Sequence, residues 1–111
     1  MQQDPLSIQV RQGKSPDTRI LQIEGPLTLS NLFVFQTELR KETSPLTVLD
    51  MTKVPYMDSA GMGALLNFYV SSQKNSRKIV LAGVCERVQA LLDLTNTTKL
   101  LKLVPTVADA E

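Results

Sequence analysis

The sequence predicts an α/β fold: a small mixed, mostly parallel sheet of four to five strands with helices packed against it. Three observations lead there. Apolar residues alternate with polar ones at residues 6–10 and again at 19–24, and two such runs so close together most simply form an antiparallel hairpin. From about residue 18 onward, strand-like and helix-like patterns alternate, which gives parallel strands joined by right-handed crossovers. The run Leu46-Thr47-Val48-Leu49-Asp50-Met51 is mostly apolar, the pattern of a central strand covered on both faces.

Each element follows from its residues. Leu6, Ile8 and Val10 alternate with Ser7, Gln9 and Arg11, a strand with one wet face. Gly13-Lys14-Ser15-Pro16-Asp17 is a turn, and residues 19–24 return with Leu21 and Ile23 on one side until Gly25-Pro26 stops the strand. Residues 29–41 fit a helix with Leu32, Phe35 and Leu39 on one face and Ser30 or Asn31 as its cap. After the central strand, residues 59–74 fit a second helix, with Met62, Leu65, Leu66, Tyr69 and Val70 as its buried stripe. Residues 78–82 form a short buried strand. Val84, Val88, Leu91 and Leu92 line a third helix, which Asn96 closes in left-handed geometry. Residues 100–104 are a last strand, and Pro105 opens a tail with a final helical turn.

Composition narrows the function. The 111 residues form one domain spanning 1–111, with an apolar fraction of 42% that suffices for a core. The net charge of +1, without a Lys/Arg run, offers no footprint for nucleic acid, and few aromatic rings are present to stack on bases. No apolar run approaches the ~20 residues of a membrane span. The opening Met1-Gln2-Gln3-Asp4-Pro5 does not read as a secretion signal, and the single Cys85 suits the cytoplasm. Histidine is absent, which removes Ser–His and Cys–His catalysis and histidine metal sites, and one cysteine cannot cage zinc. The sequence therefore reads as a protein that is not an enzyme and needs no metal or cofactor.

One junction carries chemistry. Val54-Pro55-Tyr56-Met57-Asp58-Ser59-Ala60-Gly61-Met62-Gly63 joins the central strand to the second helix. Asp58 is placed to cap that helix by accepting from the N–H of Ala60 or Gly61. Met57 and Met62 occupy the two positions of a hydrophobic staple. Ser59 falls at the first helical position and should face solvent at the positive end of the helix, where a phosphate would be tolerated. Gly61 and Gly63 each cost the helix ~1 kcal/mol relative to alanine, so close approach of a neighbouring strand or of a partner should compensate. Three other readings of the same residues stand beside it. Asp58-Ser59 could be a cap and nothing more. A nucleophile elbow lacks Gly-x-Ser-x-Gly spacing and a histidine. A phosphate-cradling loop lacks its Gly-x-x-x-x-Gly-Lys-Ser/Thr.

Val48-Leu49-Asp50-Met51 followed by Val54 through Leu66 resembles the core signature of STAS domains, the group named for sulfate transporters and anti-sigma factor antagonists. Leu21-x-Ile23-x-Gly25-x-Leu27 resembles the family's second strand and turn. Val80-Leu81-Ala82-Gly83-Val84 through Val88-x-x-Leu91-Leu92-Asp93-Leu94-Thr95 resembles its last strand–helix unit. The resemblance implies a STAS-like fold and a phosphoacceptor at Ser59. It implies an anti-sigma factor serine kinase as partner and a PP2C-type phosphatase that reverses the modification. The unmodified chain would bind the kinase and release a sigma factor, a regulatory role in bacterial transcription. The partner surface would comprise Asp58, Ser59, Ala60, Gly61, Met62 and Gly63, with Thr28 beside them. The chain departs from the family at Ala60, where many antagonists have Ser or Thr, at Thr28, where Asp is more usual, and at Asn96-Thr97, where Gly-Leu is common. The family also allows an unmodified adaptor in a transporter or signalling assembly, and a small-ligand or nucleotide sensor.

Overall fold

The computed structural model of the chain describes residues 5–111; the reading of Met1 to Asp4 as lacking a secretion signal lies outside the described residues. Five strands form one sheet in sequence order: β1 (Ser7–Gln12), β2 (Thr18–Glu24), β3 (Leu46–Lys53), β4 (Lys78–Ala82) and β5 (Lys102–Val104). β1 and β2 pair antiparallel, with Ile8 opposite Ile23 and Val10 opposite Leu21. All later pairs are parallel, and the expected mixed sheet is observed. Gly25 follows β2 with φ 117°, a conformation that L side chains rarely adopt.

Three helices make the crossovers: α1 (Leu32–Arg40), α2 (Ser59–Lys74) and α3 (Glu86–Leu94). The strands are added in one direction, so crossovers of one hand bring all three helices to the same face. There Leu21, Ile23, Leu49, Met51 and Leu81 of the sheet meet Phe35 and Leu39 of α1, Leu65 of α2, and Val88 and Leu92 of α3. The opposite face has a smaller core of Ile20, Val48 and Ala82. It is covered by Val107 and Ala110 of a terminal helical turn, α4 (Val107–Ala110), which Thr106 and Asp109 close with a capping box.

Several expectations shift. The first helix is shorter than residues 29–41, because Leu29–Asn31 forms a separate 3₁₀ turn before α1. Asn31 is the residue before α1, but its amide does not cap the helix and instead donates to the Pro26 carbonyl at 2.9 Å. Val84 lies before α3 rather than in it. The last strand begins at Lys102, because Thr97–Lys99 forms another 3₁₀ turn. Asn96 takes the expected left-handed geometry, φ 58° and ψ 19°.

The largest correction concerns α2. Its fully buried residues are Gly61, Ala64, Leu65 and Ser72, with Met62, Phe68 and Tyr69 packed partly against the core. Leu66 is half-buried outside that cluster, and Val70 is exposed. The small residues let the helix lie close to its neighbours, so the buried face is set by fit rather than by apolar content. Among the described residues, no helix is long and apolar enough to cross a membrane.

Candidate functional site

The site forms where β3 runs out into α2. Residues 54–57 are held from three sides. Leu27 pairs with Met57 in a parallel bridge, and its N–H donates to the Tyr56 carbonyl at 3.1 Å. The Cys85 thiol lies 3.4 Å from the carbonyls of both Val54 and Pro55. The Arg87 guanidinium sits 4.9 Å above the Tyr56 ring, a cation–π contact that ties this loop to α3. Val54 and Met57 are buried, so the segment entering α2 is fixed.

Asp58 then does more than cap. Its Oδ1 accepts from the Gly61 N–H at 3.0 Å, as the spacing predicts. Its Oδ2 accepts from the N–H of Leu29, also at 3.0 Å, at the start of the 3₁₀ turn before α1. One carboxylate thus joins the beginnings of two helical segments. The Asp58 N–H in turn donates to the Leu27 carbonyl at 3.0 Å. Thr28, between Leu27 and Leu29, is thereby placed beside the α2 terminus; of residues 58–63, Gly61 is buried against the Leu27 backbone and offers no surface to a partner.

Ser59 is the first residue of α2 and is exposed. The Asp58 carboxylate takes the Gly61 N–H and leaves those of Ser59 and Ala60 without a helical acceptor. Ala60 is half-buried beside it. Met62 turns towards α3, where its Sδ receives the Thr95 hydroxyl at 3.2 Å and the Thr97 hydroxyl at 3.7 Å. The two glycines differ. A Cβ on Gly61 would collide with the Leu27 carbonyl oxygen, whereas one on Gly63 would meet nothing within 4 Å.

Sequence reasoning overlooked the rim. Leu29 is 70% exposed and Phe33 78% exposed at the start of α1; Leu94, adjacent to Thr95, is 82% exposed. Leu29 lies in the turn that the Asp58 carboxylate anchors, and Leu94 adjoins Thr95, whose hydroxyl meets Met62. Phe33 could have been found, because it falls off the Leu32, Phe35 and Leu39 face. At the Leu94 side, the Asp93 carboxylate accepts from the Thr98 hydroxyl at 2.7 Å and the Gln89 amide at 3.0 Å, and these bonds hold its carboxyl below the usual aspartate range. Among the described residues, no three His, Cys, Asp or Glu side chains gather as metal ligands would.

Comparison with known proteins shows the family and the fold. The family model for the STAS domain matches residues 8–110. An anti-sigma-B factor antagonist of Listeria monocytogenes is 29% identical over 55 residues, 50% of this chain and 48% of the relative, so the match spans about half the length of that protein. An anti-sigma factor antagonist from Mycobacterium paratuberculosis superposes with a TM-score of 0.84 at 17% identity, covering 96% of this chain and 91% of the other. A sulfate transporter family protein from Wolinella succinogenes superposes with a TM-score of 0.77 at 26% identity, covering 86% and 83%.

Proposed function

The chain belongs to the STAS family, and on that premise we propose that it is an anti-sigma factor antagonist whose binding to an anti-sigma serine kinase is switched by phosphorylation of Ser59. The observation that carries this reading is the exposed Ser59 hydroxyl on a helix terminus that Asp58 has already capped and anchored. In this reading the protein is a cytoplasmic interaction module rather than an enzyme. A PP2C-type phosphatase restores the unmodified form.

The physics favours a switch that leaves the fold intact. A phosphate on Ser59 adds about −1.5 to −2 charges and three acceptor oxygens. The free N–H groups of the first turn favour that charge by ~0.3–1 kcal/mol, while the Asp58 carboxylate opposes it. Neither effect reaches the buried face of α2. Release then comes from bulk and charge among the apolar side chains at the rim. Leu29, Phe33 and Leu94 are exposed apolar side chains that lose water on contact with a partner.

The likeness to a transporter family protein favours a second reading, an adaptor in a larger assembly whose Ser59 is never modified. Incubation with the candidate kinase and ATP separates the two. Under the antagonist reading, intact mass rises by one phosphate, peptide mapping places it on Ser59, and Ser59→Ala abolishes it while retaining kinase binding. Ser59→Asp weakens binding, though less than phosphate does. Modification at Ser71, Ser72 or Ser76 in place of Ser59 would sink the proposal.

A further inference from the structure

The sheet has two edges, and they are built differently. β5 is three residues long and begins with Lys102, the short and charged form that discourages further pairing. β1 is six residues long, pairs with β2 in unbroken register, and carries no proline, no lysine and one charge, on Arg11. Among the described residues its outer side has no partner strand. Val10 is 41% exposed although it stands opposite Leu21 of the main core.

The hairpin's hydrogen bonds fix which residues face outward. The Gly13 N–H donates to the Thr18 carbonyl at 2.9 Å, so these two occupy a bonded position of the ladder. Bonded and non-bonded pairs alternate in an antiparallel ladder. Ser7, Gln9 and Arg11 therefore turn their backbone groups to β2, and Ile8 and Val10 turn theirs to the open side. A strand added antiparallel on that side must bond Ile8 and Val10.

β1 of a second copy does so with a two-fold axis at Gln9. Ile8 of each copy then lies opposite Val10 of the other, with both side chains on the helix-covered face. On the opposite face this register sets Arg11 against Ser7 of the second copy, whose neighbour across the hairpin is Glu24. The Arg11 and Glu24 Cα atoms are then about 10 Å apart, one non-bonded plus one bonded pair spacing, a gap the two long side chains close over the small serine. Among the described residues neither Arg11 nor Glu24 forms an ion pair, although Lys53 stands opposite Glu24 on β3. Moving the axis to Val10 sets Arg11 against Gln9 and Gln22 and loses the carboxylate. Moving it to Arg11 puts like charges face to face.

We infer that β1 is a self-association edge: two copies pair antiparallel through it, Gln9 against Gln9, and join their sheets into one. The open backbone groups of Ile8 and Val10 supply the bonds, and the charges of Arg11 and Glu24 select a second copy and its register. The inference rests on the β1 edge and is independent of the Ser59 reading.

Sedimentation velocity of the full chain, from micromolar to millimolar concentration, should show monomer passing into dimer. V10P removes an outward N–H and leaves the bonds to β2 in place, so it should weaken association by about tenfold or more. R11E and E24R should each weaken it severalfold, and R11E/E24R should restore it, because the reversed charges attract again. Cross-linking reads the register. In a C85S background, Q9C should form a disulfide dimer on oxidation, since facing Cα atoms of a non-bonded pair lie about 4.5 Å apart, within disulfide reach. S7C should not, because the axis sets the two Ser7 residues four positions apart along the strands. Circular dichroism melts check that each variant stays folded. A chain that stays monomeric throughout, a dimer indifferent to V10P, no rescue in R11E/E24R, or cross-linking through S7C as readily as through Q9C would overturn the inference.

Discussion

Gly61 and Gly63 stand two residues apart on α2, about 200° around the helix, and they face opposite worlds. Gly61 presses on the Leu27 backbone so closely that no side chain fits, whereas Gly63 looks into open space. The inward half of this turn is therefore accounted for by the fold, which needs α2 against the strand-like segment at Leu27. The outward half is not. A glycine that costs helix stability and meets nothing in its own chain is the position at which the proposed partner contact can be tested. The same division runs through the neighbouring side chains. Leu65 is wholly buried, while Leu29, Phe33 and Leu94 stand out in solvent.

The largest test is on the inward half. Leu65→Ala should cost about 2–5 kcal/mol by opening a cavity in the main core. Leu66→Ala should cost clearly less, because Leu66 lies half-buried outside that core. Urea unfolding of the two variants side by side checks this. Equal losses would mean that the buried face of α2 runs through the residues an apolar periodicity suggests.

Next comes Gly61→Ala. The added methyl meets a backbone oxygen and not the end of a flexible side chain, so α2 or the Leu27 segment must move. A loss of about 1–3 kcal/mol is expected, as for other overpacked sites. Amide exchange should quicken at Leu29 and Gly61, whose N–H groups Asp58 holds together. A variant as stable as the parent would show that the contact is looser than it looks.

On the outward half, Phe33→Ala should leave the unfolding midpoint nearly unchanged and weaken kinase binding by about 2 kcal/mol, the scale of an interface hot spot. Isothermal titration with the kinase measures it. Full affinity in this variant would remove the apolar rim from the interface and leave Ser59 without its proposed surroundings.

What could be read from the sequence follows the same division. The strands, the antiparallel entry to the sheet and the three crossover helices announce themselves through periodicity, because parallel sheets need covered faces. The Asp58 cap and the exposure of Ser59 follow from spacing within four residues. The second oxygen of Asp58 does not, since it reaches Leu29 across 29 positions of chain. The inward face of α2 is legible at Met62, Leu65 and Tyr69, but Gly61, Ala64 and Ser72 have little hydrophobic signal, and a search for apolar residues adds Leu66 and Val70 in their place.

The smallest effect is the most discriminating. Gly63→Ala adds a methyl where nothing lies within 4 Å, so packing neither gains nor loses. Helix propensity alone then predicts a domain up to ~1 kcal/mol more stable than the parent. If a partner lies close to this turn, the same methyl should lower kinase affinity, and the variant becomes more stable and less competent at once. A thermal melt and a binding titration on this one protein measure both. Lower stability would mean that the outward half is packed after all. Raised stability with unchanged affinity would place the kinase contact nearer Phe33 and Leu29 than the α2 turn, and Gly63 would then have no role at the interface. The expected pair of results, a gain in the melt and a loss in the titration, is one that neither a purely structural glycine nor an idle one produces.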